Sequence, residues 1–374
     1  MNMAIDVLVT GAGSVGGHAV EYLARRPEIT TIAVIDRDAD RARGIAWRAT
    51  LGALQENRHV RIEGIGLDLA DVQATADTIG RLAPRTIFHT ATLLTVPEMA
   101  RGLTPENFQA VREAGMGGFL AAHLTLGLSV QVGLKATGLK TSFITAPFPD
   151  FANQVLARTG PAPLTGIGNV DNIACELQAI VAEKLGVSAL SVTPLVVAHH
   201  SVAEWFQRSG DAGKAPWHAS VIVEGRDVTA EIDAGKLMGE SAARIRGVPQ
   251  ESRTAASGVK TVLAALRDDG SFQHGAGPAG RPGGWPIRVW ADHVEILPIP
   301  GLDEAEGLAF MLSGQRAGGI ESIGDDGTVT ATDACAGMVR SLFGVEVKKL
   351  APGEIADAGI ALRKALSKRI GNGG

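Results

Sequence analysis

The chain has 374 residues, 45% hydrophobic and 20% charged, with a formal net charge of −5. That length accommodates two domains, since single cores stop growing at roughly 250–300 residues, and the composition excludes a disordered chain. The acidic balance offers no surface for nucleic acid or an anionic membrane. Cys175 and Cys335 are the only cysteines. Two so far apart form no disulfide framework or metal-type spacing, which fits a reducing cytoplasm. The N-terminus carries no basic stretch followed by an apolar leader, and no run of 18 apolar residues is read as a membrane span.

In chain order, apolar runs of strand length alternate with helical periods through the first 150 residues. Strands are expected at residues 5–10, 31–36, 59–64, 86–90 and 141–146. Helices are expected at 14–25, 39–54 and 70–82, with a long one over 105–136. Continuous apolar strands between helices imply a parallel sheet covered on both faces. The second half mixes helices (170–185, 228–246, 252–266) with antiparallel strands near 219–223 and 287–297. Residues 268–285, rich in Gly and Pro, read as a loop, and 350–370 as a C-terminal helix. Pro147 and Pro149 place a boundary near Asp150. The expected class is α/β: a Rossmann parallel-sheet domain over residues 1–150, then a mixed α+β substrate domain over 151–374.

The first strand runs into Gly11-Ala-Gly13-Ser14-Val15-Gly16, a Gly-x-Gly-x-x-Gly turn before a helix. Gly11 permits the tight turn, Gly13 admits a pyrophosphate to the backbone, and Gly16 lets helix and strand pack closely. The helix N-terminus offers unpaired N–H groups to phosphate. Asp36 ends the second strand 20 residues beyond Gly16, where a carboxylate binds ribose hydroxyls and repels a 2′-phosphate. The expected cofactor is therefore NAD, held by Gly11, Gly13, Ser14, Val15, Gly16, Asp36 and Thr90, with Arg37 and Arg41 opposing that preference. Short-chain dehydrogenase chemistry needs a Tyr general acid with a Lys four residues on. The only tyrosine, Tyr22, lies in the first helix, so that chemistry is excluded.

Downstream, Gly166-Ile-Gly-Asn-Val-Asp171-Asn opens a helix, and a strand leads to Pro194-Leu-Val-Val-Ala-His199-His200-Ser201. With Ala146-Pro147-Phe-Pro-Asp150 and the acid at Asp36, these segments resemble the lactate/malate dehydrogenase superfamily over most of the chain. The resemblance puts Asp171 on the family's Leu-Asp-x-x-Arg motif and His199 on its Gly-Glu-His-Gly motif. It implies hydride transfer between an alcohol and a ketone. His199 would move the proton and Asp171 would orient its imidazole, with His200 a competitor one residue along. It also implies a homodimer or homotetramer, for which the apolar faces of the helices over 170–185 and 228–246 are candidate contacts.

The departures restrict the substrate. Ala174 replaces the arginine expected three residues after the Asp, Ala146 replaces an asparagine, and Arg101 is only loosely placed to serve as the loop arginine. Losing a bidentate arginine removes the grip on a 2-hydroxy carboxylate, so lactate and malate are not expected. Trp205, Trp217 and Trp285 would enlarge a pocket or fill core. Two other readings stay open. One is an NAD- and metal-dependent family 4-like glycosidase using Cys175 and His200 as ligands. The other is a non-catalytic NAD-binding homologue.

Overall fold

The computed structural model describes residues 4–371. In chain order, β1 (Val7–Thr10), α1 (Ser14–Ala24), β2 (Thr31–Asp36), α2 (Ala39–Gln55), β3 (Arg61–Gly66), α3 (Val72–Leu82) and β4 (Thr86–His89) follow the expected alternation closely. The single helix expected over 105–136 is divided. Gly115, at φ +97°, ends α5 (Pro105–Ala114), which follows α4 (Val96–Gly102), and α6 (Leu120–Thr137) starts after a 3₁₀ turn. An L side chain rarely takes that φ, so the glycine fixes the break. Residues 116–137 are long and, on average, apolar enough to cross a membrane, although His123, Gln131 and Lys135 interrupt the run. However, 89% of that apolar window is buried inside the protein.

Then come β5 (Ser142–Thr145), α7 (Pro149–Thr159), β6 (Thr165–Gly166), α8 (Val170–Leu185), β7 (Val192–Val197) and α9 (His200–Ser209). These are followed by β8 (His218–Val223), β9 (Arg226–Asp227), α10 (Ala234–Ile245), α11 (Glu251–Arg267), β10 (Ser271–Ala276), β11 (Gly284–Val289) and β12 (Val294–Ile296). The chain ends with α12 (Glu304–Ala317), β13 (Ile320–Ile323), β14 (Val329–Ala331), α13 (Asp333–Phe343), β15 (Lys349–Leu350) and α14 (Ile355–Gly371).

The main sheet has nine strands in the order β12-β11-β10-β6-β5-β4-β1-β2-β3. From β3 to β6 every pairing is parallel; β10, β11 and β12 add an antiparallel edge. The four residues of β1, like those of β4 and β5, are buried throughout, as strands covered by helices on both faces must be. Residues 268–285 are not the loop that their Gly and Pro content predicts, because β10 lies inside this sheet. Gly275 explains it: a Cβ there would stand 2.2 Å from Thr165 Oγ1, so a glycine is what admits close strand approach.

The sheet continues past the expected boundary at Asp150, which lies in the first turn of α7. One apolar cluster joins α6 to α13 and α14; another joins α1 to α11 and β11. A third, around α8, α10 and β7, supports the small β7-β8-β9 sheet.

Candidate active site

The strand order reverses between β1 and β4, and in open α/β sheets the crevice at the carboxyl ends of the strands beside such a switch point is where ligands bind. The glycine turn lies at its centre. Gly11 adopts φ +105°, and a Cβ on Gly16 would fall 1.9 Å from Gly11 O. Nothing lies within 4 Å of where a Cβ on Gly13 would be, so this backbone is open to a ligand. No side chain caps the N-terminus of α1, which leaves the Ser14 and Val15 end of the helix facing the crevice. The Thr90 hydroxyl donates to Thr10 O at 3.0 Å and Gly11 O at 3.1 Å, tying β4 to the turn. Asp36 accepts from Ala12 N at 2.9 Å and from Asp38 N at 3.0 Å, so its carboxylate closes the turn against β2. Arg41 approaches it at 3.9 Å. These residues fit a dinucleotide: an open backbone for the pyrophosphate, a helix N-terminus behind it, and a carboxylate where the ribose would lie.

Beyond the ends of β5 and β6 lies a cavity of about 360 Å³. His200 lines it, together with Phe148, Asn169, Asn172, Ile173 and Arg112. His200 Nδ1 is 3.2 Å from Asn169 Oδ1. An amide oxygen only accepts, so Nδ1 carries the proton and donates. The Asn169 amide donates to Asp150 Oδ2, and the His200 backbone N–H donates to Asp150 Oδ1 at 3.1 Å. Asp150 is fully buried. The first turns of α7, where it lies, and of α9, whose first N–H it caps, offset the cost of burying that charge. Asn169 holds φ +45°, ψ −105° and Phe148 φ +47°. Backbone strain of this kind costs about 1–3 kcal/mol per residue and persists only where surrounding structure imposes it.

The expected pair of Asp171 and His199 is not assembled. Asp171, on the first turn of α8, bonds Lys260 Nζ at 2.5 Å and so faces α11. His199 is the N-cap of α9, and its Nδ1 accepts from Ser201 N at 3.2 Å. Its ring packs edge-on against Phe151 at 4.9 Å, and Gly314 closes over its Cβ. Burial holds the imidazole down at about 4, against the opposing pull of Asp150. It is neutral near pH 7, with Nε2 buried and unpartnered. A group so enclosed cannot meet a substrate, whereas the neighbouring His200 lines the cavity.

Arg101 does not reach this cavity either. It lines an open groove with Lys364 and Lys368 of α14. The cavity's arginine is Arg112, on α5. Cys175 is exposed and absent from the lining, so it is not paired with His200. Among the described residues no group of three or more His, Cys, Asp or Glu side chains is placed to hold a metal. Trp285 is core, Trp217 packs edge-on against Phe206, and Trp205 lies under the Arg208 guanidinium; none lines the cavity. Asp150 was visible in the sequence only as a turn residue. Asn169 gave one signal, its place directly before the first residue of a predicted helix.

The family profile described as "Saccharopine dehydrogenase NADP binding domain" matches residues 7–82. No curated protein matches. Solved structures do. A malate dehydrogenase from Aeropyrum pernix is 19% identical, with TM-score 0.58, over 83% of this chain and 96% of its own. Malate dehydrogenase from Plasmodium falciparum in complex with NADH is 15% identical, TM-score 0.56, over 84% and 98%. Lactate dehydrogenase from Cryptosporidium parvum, complexed with lactic acid and nicotinamide adenine dinucleotide, is 16% identical, TM-score 0.56, over 85% and 96%. Similarity this extensive at such low identity is a statement about architecture: the chain has the lactate/malate dehydrogenase fold, opening on a domain of the nicotinamide-nucleotide-binding kind.

Proposed function

We propose that the protein is an NAD-dependent oxidoreductase interconverting an alcohol and a ketone, with His200 as its proton-transfer residue. The observation that carries this reading is the chain of hydrogen bonds from Asp150 through Asn169 to His200, at a cavity beyond the ends of β5 and β6. The bound nicotinamide would supply or accept the hydride. Nδ1 of His200 keeps its proton on Asn169, which leaves Nε2 to give a proton to a carbonyl oxygen or take one from a hydroxyl. Asn169 and Asp150 are positioning residues: they fix the ring's orientation and stabilise its charged form through the amide. The apolar wall formed by Phe148 and Ile173 excludes water from the reacting centre.

Asp36 supports NAD over NADP, because its carboxylate stands against a 2′-phosphate. We also propose a homo-oligomer. The helix faces singled out in the sequence are unavailable, since Ile173 and Leu177 of α8 pack with Leu237 and Met238 of α10 inside the subunit. On α2, by contrast, Trp47, Leu51 and Leu54 form an exposed apolar stripe with Gly44 in line. The test of the reading is single-turnover oxidation of bound NADH by a panel of ketones, with NADH affinity measured in parallel. His200→Asn is expected to lose about 10²–10⁴-fold in the chemical step with NADH affinity retained. Wild-type rates in that variant would end the assignment.

A further inference from the structure

The cavity contains charges, but each is already paired. Arg112 Nε donates to Glu204 Oε1 at 2.9 Å, and Glu176 accepts from Arg253 at 2.5 Å. The remaining walls are largely apolar: Phe108, Met116, Phe148, Ile173 and Met238. Where the family resemblance expects the arginine that grips a carboxylate, Ala174 is buried against its neighbours. Arg112 is thus the cation among the lining residues that could receive an anionic substrate. Glu204 holds the Nε edge of its guanidinium, an edge a carboxylate needs for side-on bidentate binding. Glu204 also places a negative charge where an incoming carboxylate would lie, and like charges in a shielded cavity repel strongly.

We propose that Glu204 is a specificity-determining residue: by holding Arg112 it bars 2-oxo acids and restricts the cavity to uncharged carbonyl compounds with an apolar substituent. This rests on the proposed dehydrogenase reading for its chemistry, although the exclusion of anions is a property of the cavity alone. The geometry comes from two helices. α5 supplies Arg112, α9 supplies Glu204, and Glu113–Arg208 pairs the same two helices at 3.5 Å. Glu204 lies one turn of α9 beyond His200, so the group that sets substrate charge is on the helix that carries the proton-transfer residue.

The experiment compares two pairs of compounds, each an uncharged molecule and the matching carboxylate. Hexanamide and hexanoate, which do not react, are titrated calorimetrically into the NADH complex. Methyl 2-oxohexanoate and 2-oxohexanoate are then tested as oxidants of NADH. Wild type is expected to bind hexanamide at least tenfold more tightly than hexanoate, and to prefer the ester by at least 100-fold in kcat/KM. Glu204→Gln keeps the side chain's shape, removes its charge and leaves only a weaker, neutral acceptor on Arg112. It should raise hexanoate affinity and kcat/KM for 2-oxohexanoate at least tenfold. The double variant Glu204→Gln, Arg112→Met should lose that gain. Wild type binding hexanoate as well as hexanamide, or binding neither, overturns the inference, and this comparison needs no variant to fold. Reduction of the ester without a gain in Glu204→Gln removes the role of Glu204 and leaves the dehydrogenase reading intact. The expected binding pattern with no turnover of either oxo compound does the reverse.

Discussion

Gly13 and Gly16 belong to one turn, yet an alanine at each should do opposite things. At Gly16 a Cβ would stand 1.9 Å from Gly11 O and 2.6 Å from Thr90 Oγ1. Real Cβ atoms do not approach a carbonyl oxygen closer than about 3 Å, so backbone must move by more than 1 Å. The moving atoms also accept the Thr90 hydroxyl, which ties β1 to β4. Overpacking of this severity costs about 1–3 kcal/mol or more, equivalent to several degrees in Tm for a chain of this size. Gly13 has φ −73°, ψ −165°, which alanine adopts without strain, and nothing lies within 4 Å of the added carbon. Gly13→Ala should therefore melt within a degree or two of wild type. Its methyl would project into the space assigned to the pyrophosphate, so NAD affinity should fall at least tenfold. Differential scanning calorimetry and NAD titration of the two variants separate the roles. Unchanged NAD affinity in Gly13→Ala would refute the placement of the phosphates; a wild-type Tm in Gly16→Ala would refute the packing of the turn.

Asp36→Ala should lower NAD affinity about tenfold and narrow the preference over NADP, read by fluorescence titration; NADP binding better to wild type would reverse the cofactor assignment. His199→Asn should cost stability rather than chemistry, because Nδ1 caps α9 and burial holds the ring neutral at about 4. A fall in the single-turnover rate as large as that expected for His200→Asn would count against this. Four fully buried histidines, His89, His123, His199 and His274, are held at about 3, 3, 4 and 4 by desolvation. The unfolded chain takes up these protons near pH 6.5 while the folded chain does not, so stability present above that pH drains away as pH falls toward 4. By pH 5 each group costs about 2 kcal/mol, and the set rivals a whole domain's stability of about 5–15 kcal/mol; a urea midpoint constant from pH 7 to 5 would contradict it. Trp47→Glu should convert the oligomer to monomer by light scattering, since Trp47 is 64% exposed on the α2 stripe; an unchanged mass would free that face.

The nucleotide half was legible because its signals are local. A glycine turn, buried strands and an acid at a strand end each follow from a few adjacent residues. The second site was not, and the reason is one residue of helix register. The sequence reading ends the strand at Val197, as β7 does, but expects no helix directly after it, whereas α9 begins at His200. That makes His199 an N-cap turned into the core and His200 the first helical residue, rotated about 100° onto the cavity face. Asp150 and Asn169 lie 19 positions apart and meet His200 only because β5 and β6 pair in register. The expectation that Asp171 orients a histidine failed for an equally distant reason: Lys260, 89 residues on, takes its carboxylate.

These departures are physically connected. With Ala174 in place of a free arginine, a carboxylate entering this cavity would meet no uncommitted cation among its lining residues. The cost of dehydrating a charge in an apolar enclosure then has nothing to oppose it. An unpaired Arg112 would carry the same penalty whenever the cavity held an uncharged molecule. Pairing it with Glu204 removes that penalty at the rim, where both side chains keep partial contact with water. The same logic applies to the proton-transfer group. A carboxylate bonded directly to His200 would add a full charge at the cavity wall. The Asn169 amide instead relays the influence of Asp150 from its position beneath α7 and α9, so the ring is oriented without a naked anion beside the substrate. A site of this kind stabilises a transient imidazolium less than direct ion pairing does. It gains a cavity in which a neutral carbonyl has no charged competitor for the hydrogen bond that His200 offers.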